Sequence, residues 1–136
     1  MARLSDLLIN DQRTVDYIAR KTGHHTWEHQ ASIGLLHDGV VVAGFLYDNY
    51  NGALCAMHVA ADKFERWFLR MAFDYPFRQL NLKSVYGPIA STNKEACALA
   101  ERLGGKLHTV IPEGHPDGDL CIYLMRRDEC RFWRQA

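Results

Sequence analysis

The stretch Ala53-Leu54-Cys55-Ala56-Met57-His58-Val59-Ala60-Ala61-Asp62-Lys63-Phe64-Glu65-Arg66-Trp67-Phe68 passes from strand chemistry to helix chemistry. Ala53 to Val59 is an apolar run launched by the turn pair Asn51-Gly52. Beyond it, Phe64, Trp67, Phe68, Met71, Ala72 and Tyr75 recur at i, i+3, i+4, i+7, i+8 and i+11, one continuous buried helix face. Lys63, Arg66, Arg70 and Asp74 fill the opposite face. Asp62 stands where an N-cap belongs, with Glu65 three residues on, and Pro76 should kink or break the helix near Tyr75, within a span of 62–80. Ser84 to Ile89 reads as the next strand. A strand-helix-strand crossover makes its two strands parallel neighbours, and that decides the architecture.

Upstream, Ile33 to His37 and Val40 to Tyr47 flank Asp38-Gly39, a hairpin turn suited to positive φ. Three antiparallel strands therefore follow one another, and their scarcely alternating apolar runs imply burial on both faces. Arg3 to Ile9 is a short strand or helix, and Asp11 to Lys21 has helical spacing closed by Gly23. Downstream, Thr92 with Glu95 forms a capping box for a helix whose inner face is Ala96, Leu99, Ala100 and Leu103, closed by Gly104-Gly105. Lys106 to Ile111 and Leu120 to Met125 are two more strands around a turn-rich loop, Pro112 to Asp119. The expected class is α/β (α+β) with a mixed sheet, a single domain over 1–136 with a short N-terminal arm, 1–32, and a core, 33–133.

The 136 residues are 48% hydrophobic and 24% charged, which suits one compact domain. Sixteen basic residues cancel sixteen acidic ones, so no net field favours nucleic acid or an anionic membrane. Four dispersed cysteines, no signal-peptide succession and no apolar run long enough to span a bilayer point to the cytoplasm. His25-Thr26-Trp27-Glu28-His29 has the order of a reversed zinc-protease signature, but without apolar periodicity around it the segment reads as polar loop or helix end, and no metal is assigned. Trp67 belongs to the helix stripe, so the tryptophans read as core rather than base-stacking platforms. Phe132 and Trp133 either expose a surface for a homodimer or fold back on the sheet.

The element order, with Asn93-x-x-Ala96-x-x-Leu99 running into Leu103-Gly104, resembles the GNAT family of acyl-CoA-dependent N-acetyltransferases. Phe73-Asp74-Tyr75-Pro76-Phe77-x-Gln79-Leu80, Val85-x-Gly87, Asp117-Gly118-Asp119-Leu120 and Met125-Arg126-Arg127-Asp128-Glu129-Cys130 look like the compact members carried by phages and prophages. The resemblance implies a mostly antiparallel sheet with helices on both faces, splayed between the strands at 53–59 and 84–89. It implies acetyl-CoA as co-substrate and an amine acceptor. Met57 and Val59 would meet the pantetheine through backbone, Lys63, Phe64 and Arg66 would surround the phosphates at the helix start, and Asn93 would also face the cofactor. The Val59 amide would be the oxyanion donor. His58, near the strand's end, has the titration range of a general base, and equally that of a hydrogen-bonded structural histidine.

Three positions depart from the family pattern. No glycine lies between Val59 and Arg66, where many members have a glycine-rich turn; Ala100 stands where a tyrosine acid is frequent; and Gly105 replaces a phenylalanine. Two functions follow: an acetyl-CoA-dependent N-acetyltransferase, or a catalytically degenerate GNAT-like module that binds a protein partner.

Overall fold

The computed structural model describes residues 6–23 and 30–133. The His25 to His29 motif, Trp27 included, lies outside them. The elements run β1 (Leu7–Ile9), α1 (Gln12–Thr22), β2 (Ala31–His37), β3 (Val40–Asp48), β4 (Leu54–Ala61), α2 (Arg66–Asp74), a π-helical turn (Tyr75–Gln79), β5 (Ser84–Ala90), α3 (Lys94–Leu103), β6 (Lys106–His115), β7 (Gly118–Arg126) and a closing 3-10 turn (Arg127–Glu129). One seven-stranded sheet has the order β1-β2-β3-β4-β5-β7-β6, and among the described residues only the β4–β5 pair is parallel. The class and the crossover are those the sequence implies.

Two apolar clusters cover the sheet. Phe45, Tyr47 and Met57 project towards Phe68, Ala72 and Phe73 of α2, and Leu99 and Leu103 of α3 join the same cluster. Leu46 and Ala60, of opposite parity on β3 and β4, meet Tyr17 and Ile18 of α1 on the other face. α1 lies so close to the sheet that a Cβ at Gly44 would come within 2.9 Å of the Thr14 methyl. Phe132 stacks on Phe73 at 5.9 Å and Trp133 packs on Phe77 at 5.7 Å, so the C-terminal rings fold back on the core.

The hairpin turn carries positive φ at both Asp38 (52°) and Gly39 (79°), as its sequence requires. Several boundaries differ from expectation. α2 starts at Arg66, not Asp62: Asp62 is drawn to α1 instead, where it accepts from Lys21 Nζ (2.7 Å) and the Tyr17 hydroxyl (2.9 Å). The regular α-helix ends near Tyr75, as Pro76 requires, but the chain continues as a π segment instead of leaving the helix. Pro76 sits in the first turn of the π segment, where its missing N–H is tolerated, and Leu80 N–H closes the wider ring on Tyr75 C=O at 3.0 Å. Asn93, not Thr92, caps α3, accepting from the Ala96 N–H at 3.1 Å. The expected loop Pro112 to Asp119 is mostly strand, since β6 reaches His115 and β7 begins at Gly118, with Glu113 at φ 57° in an irregular stretch.

Candidate active site

β4 and β5 pair only from Leu54–Ser84 to Ala56–Tyr86, although β4 continues to Ala61 and β5 to Ala90. The reason lies in one residue. Asp62 N–H donates to Val42 C=O at 2.7 Å, and groups in an antiparallel pair alternate, so Ala60, His58 and Ala56 turn their polar groups to β3. Met57 and Val59 therefore turn theirs towards β5. On β5, Ser91 N–H donates to Asp119 C=O at 2.8 Å; by the same alternation Ile89, Gly87 and Val85 face β7, while Pro88 and Tyr86 face β4. The next rung would need an N–H on Pro88 to reach Met57 C=O, and proline has none. The strands are still adjacent at that level, because a Cβ on Gly87 would lie 3.7 Å from the Met57 carbonyl oxygen. Above it they part. The missing donor also explains how a proline sits inside a central strand: its nitrogen faces the gap, where β5 behaves as an edge.

A cavity of about 780 Å3 opens in this gap, walled by Met57, His58 and Val59 on β4, Gly87 and Pro88 on β5, and Asn93 at the start of α3. Strand alternation would set His58 apart from its two neighbours, but all three line the cavity. Met57 and Val59 contribute backbone in the plane of the sheet, while the His58 side chain, paired across the ladder with Leu46, projects to the α1 face. There His58 Nε2 lies 2.9 Å from Asp48 Oδ1, and the two side chains are only 12% and 11% exposed. A carboxylate on one ring nitrogen sets the imidazole's orientation. Tyr86, level with Ala56 on the same face, receives a long 3.5 Å contact from Asn49 Nδ2.

The predicted phosphate residues do not come together at this cavity. Phe64 packs on Phe45 with ring centroids 6.2 Å apart, Lys63 is exposed, and Arg66 lines a second cleft of about 970 Å3 beside Arg70, Arg78, Arg127 and Trp133. The displacement of Asp62 takes its carboxylate away from the start of α2, but that of Glu65 remains there. Glu65 takes the N-cap position without a side-chain cap bond, its carboxylate accepting instead from the Trp67 indole at 2.6 Å. Asn93 borders the cavity, with its side-chain oxygen committed to capping α3. Cys97 lies one turn further on, its thiol 3.8 Å from Ala90 C=O.

Sequence reasoning missed Pro88, Asp48 and Tyr123. Proline in a strand flanked by sequence on both sides is itself a signal of a local edge. Tyr123 is paired with Gly87 across the β5–β7 ladder and lines the cavity together with Ala100 and Gly105. Burial, then its hydrogen bond with Cys97, pushes the phenol up to about 12, so it is a neutral hydroxyl at ordinary pH.

No protein-family model matches the sequence, and no curated protein matches it. Solved structures do. The spermidine/spermine N-acetyltransferase SpeG from Vibrio cholerae, in glutamate-to-glutamine mutant forms, superposes with a TM-score of 0.70 at 14% identity, over 90% of this chain and 94% of that one. The same enzyme in complex with manganese ions gives 0.67 at 15% identity, over 92% and 95%. Its dodecameric structure in an intermediate state gives 0.67 at 13% identity, over 91% and 95%. This chain has the GNAT fold. At such identities the likeness is one of fold, and it spans nearly the whole length of both chains.

Proposed function

We propose that the gap between β4 and β5 binds acetyl-CoA and that the protein transfers the acetyl group to a primary amine. The observation that carries this reading is the rung lost at Pro88, which leaves the Met57 carbonyl and the Val59 amide directed into a cavity wide enough for a pantetheine arm. The Met57 and Val59 carbonyls fit the N–H donors of pantetheine, and the Val59 N–H is left for the thioester oxygen. The start of α2, free of a side-chain cap bond, suits the pyrophosphate, with exposed Lys63 beside it, while Asn93 borders the gap from the start of α3 as a further cofactor residue.

In the reaction the neutral amine nitrogen forms a bond to the thioester carbonyl carbon, the C–S bond breaks, and sulfur leaves with the electron pair. The Val59 N–H stabilises the carbonyl oxygen as it becomes an oxyanion. His58, held by Asp48, takes the proton that the amine releases, on the α1 face where an acceptor can approach without crossing the pantetheine. The Tyr123 hydroxyl, neutral in this site, returns a proton to the thiolate. Ala100 then need not be a tyrosine, because the phenol comes from β7. The acceptor is a primary amine on a small molecule, peptide or protein, and polyamines, the substrates in the neighbours' names, belong in the first panel. The protein acts in the cytoplasm. The exposed apolar residues Leu107, Val110 and Ile111 of edge strand β6, rather than Phe132 and Trp133, are the surface for a homodimer.

The test is calorimetric titration with acetyl-CoA, followed by thiol release across an amine panel that includes spermidine. Binding in the micromolar range with amine-dependent thiol release is the expected result; absence of heat and of thermal stabilisation at millimolar acetyl-CoA refutes the reading.

A further inference from the structure

The cavity does not end where the strands close. The last rung of the parallel ladder is Ala56–Tyr86, yet the lining continues past it to Val85, Phe73, Leu103 and Met125, all members of the main core. Along β5 it runs from Val85 to Ala90, about 17 Å at the usual rise of a strand. This inner part lies beneath α3, whose cavity-facing residues include Ala96 and Ala100. Gly105 adds no side chain: a Cβ there would lie 3.1 Å from the Ala100 carbonyl oxygen and 3.6 Å from the Tyr123 Cβ. Apart from His58, the ionic members of the lining, His115 and Asp117, belong to the β6–β7 turn beside Ser91 and Thr92, at the opposite end of β5 from Val85.

A pantetheine arm does not account for this chamber. Its amides need polar partners, and those are Met57 and Val59, above the last rung. Below the rung the walls are hydrocarbon. Apolar voids of this kind stay dry and take up apolar ligands. We propose that the inner chamber receives the acyl chain of the thioester, and that the donor is an aliphatic acyl-CoA between butyryl and octanoyl in length, in preference to acetyl-CoA. This rests on the acyl-transfer reading above. The chemistry is unchanged by chain length: the amine nitrogen gains the acyl carbon and loses a proton, and the C–S bond breaks to give CoA thiol. The extra methylenes are held by Leu99, Leu103, Phe73 and Met125, and the small residues at positions 100 and 105 leave the passage open.

The experiment measures kcat/KM with one fixed amine, or Kd by calorimetry, for acetyl-, propionyl-, butyryl-, hexanoyl-, octanoyl- and decanoyl-CoA, with unacylated CoA as reference. The expected result is a rise of roughly fourfold per buried methylene to a maximum between butyryl and octanoyl. Ala100→Phe should lower the hexanoyl-to-acetyl ratio at least about tenfold; if that variant does not fold, the wild-type series decides. A series that is flat, or highest at acetyl, overturns the chamber and leaves acyl transfer standing. Failure of every thioester and of CoA to bind overturns the acyl-transfer reading itself.

Discussion

Replacing Pro88 by alanine supplies the one donor whose absence stops the β4–β5 ladder. Gly87 is already adjacent to Met57, with a Cβ position 3.7 Å from its carbonyl oxygen, so little backbone movement is needed for the new amide at position 88 to reach it. A net backbone hydrogen bond stabilises by about 1 kcal/mol. Losing proline frees the unfolded chain and costs about 0.4–1 kcal/mol. The two nearly cancel, so stability to urea should hardly change in Pro88→Ala. Ligand binding should change, because the pantetheine must now displace a formed rung, which at about 1 kcal/mol weakens binding about fivefold. Calorimetry with CoA gives the affinity, and amide hydrogen exchange at position 88 reports the rung directly, as a protected amide in the free protein that loses protection on CoA binding. If CoA binds Pro88→Ala as tightly as wild type while that amide is protected, the gap is not where the pantetheine lies. If the amide is unprotected, Pro88 is not what parts the strands.

His58→Gln should lower kcat/KM for amine acylation by about a hundredfold or more, and Asp48→Asn should lower it by less; thiol-release kinetics measure both. Trp133→Ala removes the ring on Phe77 and the indole bond to Asp74 (3.3 Å), and should destabilise the fold by about 2 kcal/mol in urea denaturation. The Asp74 carboxyl is held below its usual 3.8 chiefly by its hydrogen bonds from Arg78. A depressed carboxylate stabilises fully above its unfolded value and loses that contribution as pH falls through the folded one, so the stability difference between wild type and Asp74→Asn should shrink below about pH 4.

The crossover and the sheet it builds were legible because Phe64 to Tyr75 repeats at helical spacing and Asp38-Gly39 and Asn51-Gly52 are turn chemistry, all of it local. The start of α2 was not, because capping is a competition. Asp62 has the chemistry of a cap, but Lys21 and Tyr17, distant in sequence, bind its carboxylate, and the helix begins four residues later at Arg66. Asn93 outcompeted Thr92 at α3 by a one-residue difference in geometry that no spacing rule resolves. The parting of the strands came from family likeness, although its local cause, Pro88, stood in the sequence. Lys63, Phe64 and Arg66 were placed by the same likeness and scatter in the fold, since where α2 starts decides which way each side chain turns. The Tyr123 phenol was illegible for a different reason: its neighbours Ala100 and Gly87 belong to other elements, and only the β5–β7 register brings them to one cavity.

The site divides its labour along the geometry of the pleat. Backbone groups lie in the sheet and side chains stand perpendicular to it, so a ligand that pairs with strand amides leaves both faces available. On one face the Leu46–His58 pairing sets the imidazole, the proposed base, against Asp48. On the other, the side chains of Met57 and Val59 join the core that α2 and α3 cover, where hydrocarbon can be buried. A slip of one residue in the β3–β4 register would turn His58 into that core and Met57 towards α1, and would point the polar groups of His58, not Val59, into the gap. The register is fixed by Phe45 and Tyr47 packing against α2 and by Leu46 packing against α1, so the same alternation that buries the core also aims the proposed donor and the proposed base.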